Sequence, residues 1–110
     1  MPPRDDSPHL GARSYGILLA LSEGERHGYD IMRQVALDSE NELILGPATL
    51  YTSLKRLLEL KMIAESEVKS EAPHEAQRRY YRLTSQGKAA LEKELERSQH
   101  FINLAGRRLA

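Results

Sequence analysis

The run Gly46-Pro47-Ala48-Thr49-Leu50-Tyr51-Thr52-Ser53-Leu54-Lys55-Arg56-Leu57-Leu58 constrains this chain more than any other. Proline is best tolerated in the first turn of a helix, so Gly46-Pro47 predicts a helix that starts there and runs to about Leu60. Leu50, Leu54, Leu57 and Leu58 then gather into one stripe that faces a core. Thr49, Thr52, Ser53, Lys55, Arg56 and Glu59 are left on the other side. A helix that is apolar on one face, and rich in hydroxyls and cations on the other, suits an anionic partner.

The flanking segments supply the frame for that helix. Residues 1–9 hold three prolines and an Asp-Asp pair without periodicity, which reads as a flexible N-terminal arm. From about Leu10 to Leu21, Tyr15, Ile17, Leu18, Leu19 and Leu21 fit a mostly buried helix that ends at Ser22-Glu23-Gly24-Glu25. Gly28 to Leu37 places Ile31, Val35 and Met32 on one face of a short second helix. Met62–Val68 and Gln77–Leu83 are short candidate strands, with Ile63, Val68, Tyr81 and Leu83 on the inner face of a hairpin. Thr84 follows the second strand as a helix cap, and strong helix formers begin at Ser85.

Leu91, Leu95, Ser98, Ile102, Ala105 and Leu109 recur along that last helix at alternating spacings of four and three. Such a heptad seam outlasts what one small three-helix core can cover, and this favours contact between subunits over packing within one. The expected order is three helices, a two-stranded wing and a long helix. The fold class is therefore mainly α with a small β-hairpin (α+β): a winged helix-turn-helix over residues 10–84 and a dimerisation helix over residues 85–110.

Composition narrows the function classes. The 110 residues contain no cysteine, which excludes disulfides, thiol catalysis and cysteine-ligated zinc. His9, His27, His74 and His100 have no spacing suited to a metal, and no nucleophile triad, carboxylate pair or glycine-rich phosphate loop stands out. Neither a metal, a cofactor nor catalysis is expected. No apolar run approaches a membrane span, and Met1 to Asp6 lack the apolar core of a signal peptide, so a cytoplasmic protein is the expectation. The formal net charge is zero, but residues 1–45 carry 4 basic and 8 acidic side chains and residues 46–110 carry 12 and 8. The second half, at +4, is the anion-facing side.

His27-Gly28-Tyr29-Asp30-Ile31, Ala48-Thr49-Leu50-Tyr51, Leu54-Lys55-Arg56-Leu57 and Arg78-Arg79-Tyr80-Tyr81-Arg82-Leu83-Thr84, with Gly87 and Leu91, resemble the PadR family of transcriptional regulators. The resemblance covers roughly residues 14–95, and the chain is similar to the short branch with a single C-terminal helix. It implies a homodimeric winged-helix repressor whose third helix enters the major groove of double-stranded DNA. It also implies a wing lying along the backbone or minor groove, and release by a small-molecule effector bound between subunits. Two positions depart from the family pattern: Thr52 stands where proline is frequent, and Lys61 where a glycine precedes the wing.

The candidate DNA contacts are Tyr29, Thr49, Tyr51, Thr52, Ser53, Lys55, Arg56, Arg78, Arg79 and Tyr80. Lys55 and Arg56 have the reach to neutralise phosphates or read guanine, unless they are only solvated surface charges. Short hydroxyls near a helix start reach phosphate oxygens, although Thr49 could equally be a cap. Tyr51 either packs under the wing or bonds a phosphate, and Tyr29 is either buried or at the point where the second helix crosses the backbone. Adjacent strand residues face opposite ways, so one of Arg78 and Arg79, and one of Tyr80 and Tyr81, should face outward. Arg82 is expected to pair with Glu65 or Glu67 across the hairpin. An effector pocket would be lined by Tyr15, Leu18, Phe101 and Ile102. Two other classes stay open: a winged helix that binds protein partners without specific DNA binding, and a ligand-binding or enzymatic dimer.

Overall fold

A computed structural model describes residues 10–66 and 79–110. The chain runs α1 (Ala12–Leu21), β1 (Arg26–His27), α2 (Gly28–Asp38), α3 (Pro47–Glu59), β2 (Ile63–Ser66), β3 (Tyr80–Leu83) and α4 (Ser85–Leu109). The helices match expectation to within two residues, and Pro47 does begin α3 at its first turn. Val68 and Gln77, expected in the strands, lie outside the described residues.

The sheet is larger than the sequence suggested. Its order is β1-β3-β2, antiparallel throughout, with Arg26 opposite Tyr81, His27 opposite Tyr80, and Glu65 opposite Tyr81 on the other edge. The added strand has only two residues and therefore carries no alternation to read. Arg26 anchors it: Nε donates to the Ala20 carbonyl at 2.7 Å and Nη1 to Asp30 Oδ2 at 2.9 Å. With 18% of its side chain exposed, this arginine ties the end of α1 to the start of α2.

The core forms where three helical stripes meet the sheet. Ile17, Leu18 and Leu21 of α1, Ile31 and Val35 of α2, and Leu50, Leu54 and Leu57 of α3 are buried together with Met62, Ile63 and Tyr81. Each large aliphatic side chain removed from water here contributes about 1.5–3 kcal/mol. Leu58 is only half-buried and packs at the edge, so the α3 stripe is narrower than four leucines imply.

Both helices of the central motif end in the same way. After α3, Lys61 N–H donates to the Leu58 carbonyl and Met62 N–H to the Leu57 carbonyl, each at 3.0 Å. After α2, Glu40 and Asn41 donate in the same pattern to Leu37 and Ala36. This closure puts the residue after the cap in the left-handed region, and the φ values of 59° at Lys61 and 52° at Glu40 are of that kind. The turn before the wing thus keeps its geometry without glycine, at a conformational cost. Lys61→Gly is expected to raise unfolding stability by about 1 kcal/mol, because glycine adopts positive φ freely and nothing else in the turn changes. Urea denaturation checks this, and an unchanged midpoint would contradict it.

Thr84 joins the wing to α4. Its Oγ1 accepts from Gly87 N–H at 3.1 Å and donates to the Lys61 carbonyl at 2.7 Å, while its own N–H donates to the Met62 carbonyl at 3.1 Å. One threonine therefore caps α4 and fixes it to the turn that closes α3. Along the rest of α4 the apolar surface opens to solvent, with Leu95 57% and Ile102 63% exposed.

Candidate nucleic-acid interface

With Leu50, Leu54 and Leu57 turned inward, α3 presents Thr52, Lys55, Arg56 and Glu59 to solvent, and Thr49 and Ser53 half-buried on its flank. Among the described residues neither Lys55 nor Arg56 makes an ion pair. Two adjacent cations, unpaired among the described residues, make this exposed helix face attractive to an anion. Gly46 occupies the cap position of α3 without a side-chain bond, so Thr49 is not the cap. Thr52 is more constrained than the sequence suggested: its hydroxyl donates to the Ala48 carbonyl at 2.9 Å. In this rotamer it offers only lone pairs, which suit a base amino group and not a phosphate oxygen.

A second group lies where α2 begins. His27 caps α2, its Nδ1 accepting from Asp30 N–H at 3.2 Å. The His27 ring stacks on Tyr29 with centroids 6.5 Å apart and meets Tyr80 edge-on at 5.5 Å. On the other side of the backbone, a side chain at Gly28 would come within 3.4 Å of both the Tyr51 hydroxyl and Leu50 Cδ2. The α3 tyrosine therefore reaches across to the first turn of α2. Tyr29 and Tyr51 remain 70% and 58% exposed, so neither is spent on the core. The fold thus collects Tyr29 and Tyr80 around His27, with Tyr51 against the neighbouring Gly28; in the sequence His27 stood out as part of the family motif and was not itself a candidate contact. Its position directly before Gly28-Tyr29, at the cap of a helix, was the available signal.

The wing obeys strand alternation. Tyr81 is 4% exposed and belongs to the core, whereas Tyr80 is half-buried and faces His27. Burial chiefly, with the nearby Glu65 and Tyr51, pushes the Tyr81 phenol above its ordinary value, and Arg79 opposes this. Tyr81 is thus a neutral hydroxyl. Arg79 approaches Glu65 at 3.5 Å, with side-chain exposures of 75% and 48%, a solvent-screened pair worth a few tenths of a kcal/mol. Among the described residues Arg82 does not pair with Glu65, and its other expected partner, Glu67, lies outside them. Arg82 stands opposite Ala64 and is exposed, while Glu65 meets Arg79 on the diagonal, because the register aligns Glu65 with Tyr81. Arg78 and Glu67 lie outside the described residues.

On α4, Leu91 and Ser98 are half-buried, with Leu91 packed on the domain core, while Leu95, Ile102, Ala105 and Leu109 are exposed. Phe101 is 61% exposed beside them, and Tyr15 on α1 is half-buried. Leu18 must be removed from any pocket lining: it is 0% exposed, filled in on all sides by its own core. A cleft of about 320 Å³ does lie beside α4, lined by Leu10, Leu60, Met62, Gln86, Ala89, Ala90, Lys93, Glu94 and Arg97. None of Tyr15, Leu18, Phe101 or Ile102 contributes to it. Among the described residues no His/Asp/Glu group is placed to hold a metal, and no helix is long and apolar enough to cross a membrane.

The model of the PadR-like transcriptional regulator family matches residues 17–93, from the middle of α1 into α4. The chain belongs to the PadR-like family. An uncharacterised protein of Lysinibacillus sphaericus is 36% identical to it over 75 residues, which are 68% of this chain and 67% of that protein. The crystal structure of a PadR family transcription regulator from hypervirulent Clostridium difficile R20291 superposes with a TM-score of 0.76 at 25% identity, covering 91% of this chain and 100% of that one. Bacillus subtilis PadR in complex with operator DNA gives a TM-score of 0.65 at 27% identity over 74% of this chain and 45% of that one. This PadR-like chain therefore spans less than half of the length of the B. subtilis protein. It is a winged-helix transcriptional regulator, and regulators of this family are not enzymes.

Proposed function

We propose that this PadR-like protein is a cytoplasmic, sequence-specific DNA-binding repressor that grips a pseudo-palindromic operator as a homodimer. The observation that carries this reading is the outer face of α3, where Lys55 and Arg56 stand exposed, and unpaired among the described residues, alongside Tyr29 and Tyr51. Cations supply the phosphate neutralisation that dominates affinity, and α3 supplies the rod that fits a major groove. The B. subtilis relative bound to operator DNA supports the same use of the fold.

In this reading residues 10–84 bind DNA, residues 85–110 dimerise, and residues 1–9 form an arm. The exposed Leu95, Ile102 and Leu109, continued by Phe101, are the apolar surface that a second copy would cover, with Ser98 and Ala105 allowing close approach. Two-fold symmetry would then set two α3 helices about 34 Å apart on successive major grooves. Release by a small-molecule effector completes the reading. It is supported by the cleft beside α4, where a ligand between Met62, Ala90 and Arg97 would alter the angle at which α4 leaves the winged domain.

Selection of duplexes from a random pool, followed by hydroxyl-radical footprinting, tests the proposal. Two protected half-sites one helical turn apart are expected. Enrichment of no duplex would contradict it. The Arg79–Glu65 pair favours one alternative, since it partly neutralises the wing as an anion-binding strand. A winged helix that binds only protein would show no salt-dependent affinity for any duplex.

A further inference from the structure

A second cationic surface adjoins α3. Between the start of α1 and the flank of α3 lies a cleft of about 490 Å³, with Arg13 and Ser14 on one wall and Ser53 and Arg56 on the other, above an apolar floor that includes Leu43 and Leu57. Among the described residues its lining holds two guanidinium groups and no carboxylate. Arg13, like Arg56, is exposed and makes no ion pair among the described residues. Two exposed arginines on one cleft attract an anion, and guanidinium forks match phosphate oxygens bidentately.

We propose that this cleft holds the sugar-phosphate backbone of the duplex, with Arg13 and Arg56 on neighbouring phosphates, so that the DNA footprint extends from α3 onto α1. The occupant follows from continuity. Arg56 belongs both to the outward face of α3 and to the cleft wall, so a strand walling the groove that α3 fills would run directly into the cleft. Arg13, carried on α1, stands beside that groove and meets backbone, not base edges. Its role is therefore affinity and register, independent of sequence. This inference rests on the proposed DNA-binding function.

The test uses the full chain and the duplex that the wild-type protein enriches from a random pool, beside a scrambled duplex. Affinities are measured by fluorescence anisotropy across a salt series for wild type, Arg13→Gln and Arg108→Gln, the last an equal loss of charge at the far end of α4. Arg13→Gln is expected to flatten the slope of log K against log salt by about one per half-site, about two for the dimer, and to weaken binding to both duplexes about 30-fold near ~0.15 M salt. Arg108→Gln should leave both nearly unchanged. Phosphate-ethylation interference should lose one sensitive phosphate per half-site in the Arg13 variant.

Unchanged slope and interference pattern in Arg13→Gln, with the wild type still binding, would overturn the cleft assignment and leave the DNA-binding function standing. An equal effect from Arg108→Gln would overturn it too, because the effect would then belong to the overall field. A shifted monomer–dimer balance without a slope change would show that a second copy, not DNA, covers the cleft. A wild-type chain that enriches no duplex overturns both readings together.

Discussion

Gly87→Ala is expected to destabilise the protein by roughly 2–4 kcal/mol, although alanine is the better helix former by about 1 kcal/mol. Gly87 is buried in the first turn of α4, where a Cβ would collide with the Met62 carbonyl and lie 2.7 Å from Leu83 Cδ1. The Leu83 side chain can move aside. The Met62 carbonyl cannot, because it accepts the Thr84 N–H at 3.1 Å, in the turn where Thr84 also caps α4. Relief therefore requires shifting the start of α4 away from the wing, with loss of the cap that Thr84 provides. Chemical denaturation of the variant reads the sign directly. Stabilisation would mean that propensity outweighs the contact, and that the seat of α4 is looser than described.

The second large effect concerns the outer face of α3. Lys55→Ala with Arg56→Ala should weaken operator binding about 30-fold per half-site near ~0.15 M salt, and so about 1,000-fold for the dimer, since each lost phosphate contact removes about 0.9 from the salt slope. Any base contact made by either residue adds to that, at about 1–3 kcal/mol for a bidentate pair. Neither side chain enters the core or an ion pair among the described residues, so the fold should be unaffected. Anisotropy titrations alongside circular dichroism separate the two effects. Unchanged affinity would remove α3 from the interface.

The parts of this fold that were legible in the sequence are those whose period is long or whose punctuation is chemical. The leucine stripe of α3, its proline start and the Thr84 cap each report a local rule that the tertiary structure leaves intact. The stretch that resisted was Arg26-His27. Two residues cannot display a strand period, and their strand character comes from pairing with Tyr80 and Tyr81, more than fifty residues away. For the same reason Glu65 was not foreseen to meet Arg79: register is a property of two strands together, and alternation within one does not supply it.

Side-chain roles near the interface were less legible than side-chain positions. Helical spacing placed Lys55 and Arg56 outward, but it could not foresee that the Thr52 proton would be held by Ala48, or that His27 would gather Tyr29 and Tyr80. Leu18 failed as a pocket residue because it lies on the core face of α1, at 0% exposed, while Ala12, Arg13 and Leu19 hold the outer face. Lys61 shows the opposite case. The family pattern has a glycine at this position, yet the hydrogen bonds that close α3 hold a lysine at positive φ.

One titration bears most directly on the claim that this is a DNA-reading regulator. A labelled duplex enriched by the protein from a random pool is titrated by fluorescence anisotropy at two salt concentrations, beside a scrambled duplex of the same composition. Tighter binding to the selected duplex, weakening steeply with salt, saturating at two chains per duplex, is the predicted result. Equal affinity for both duplexes, or none at low salt, would contradict it.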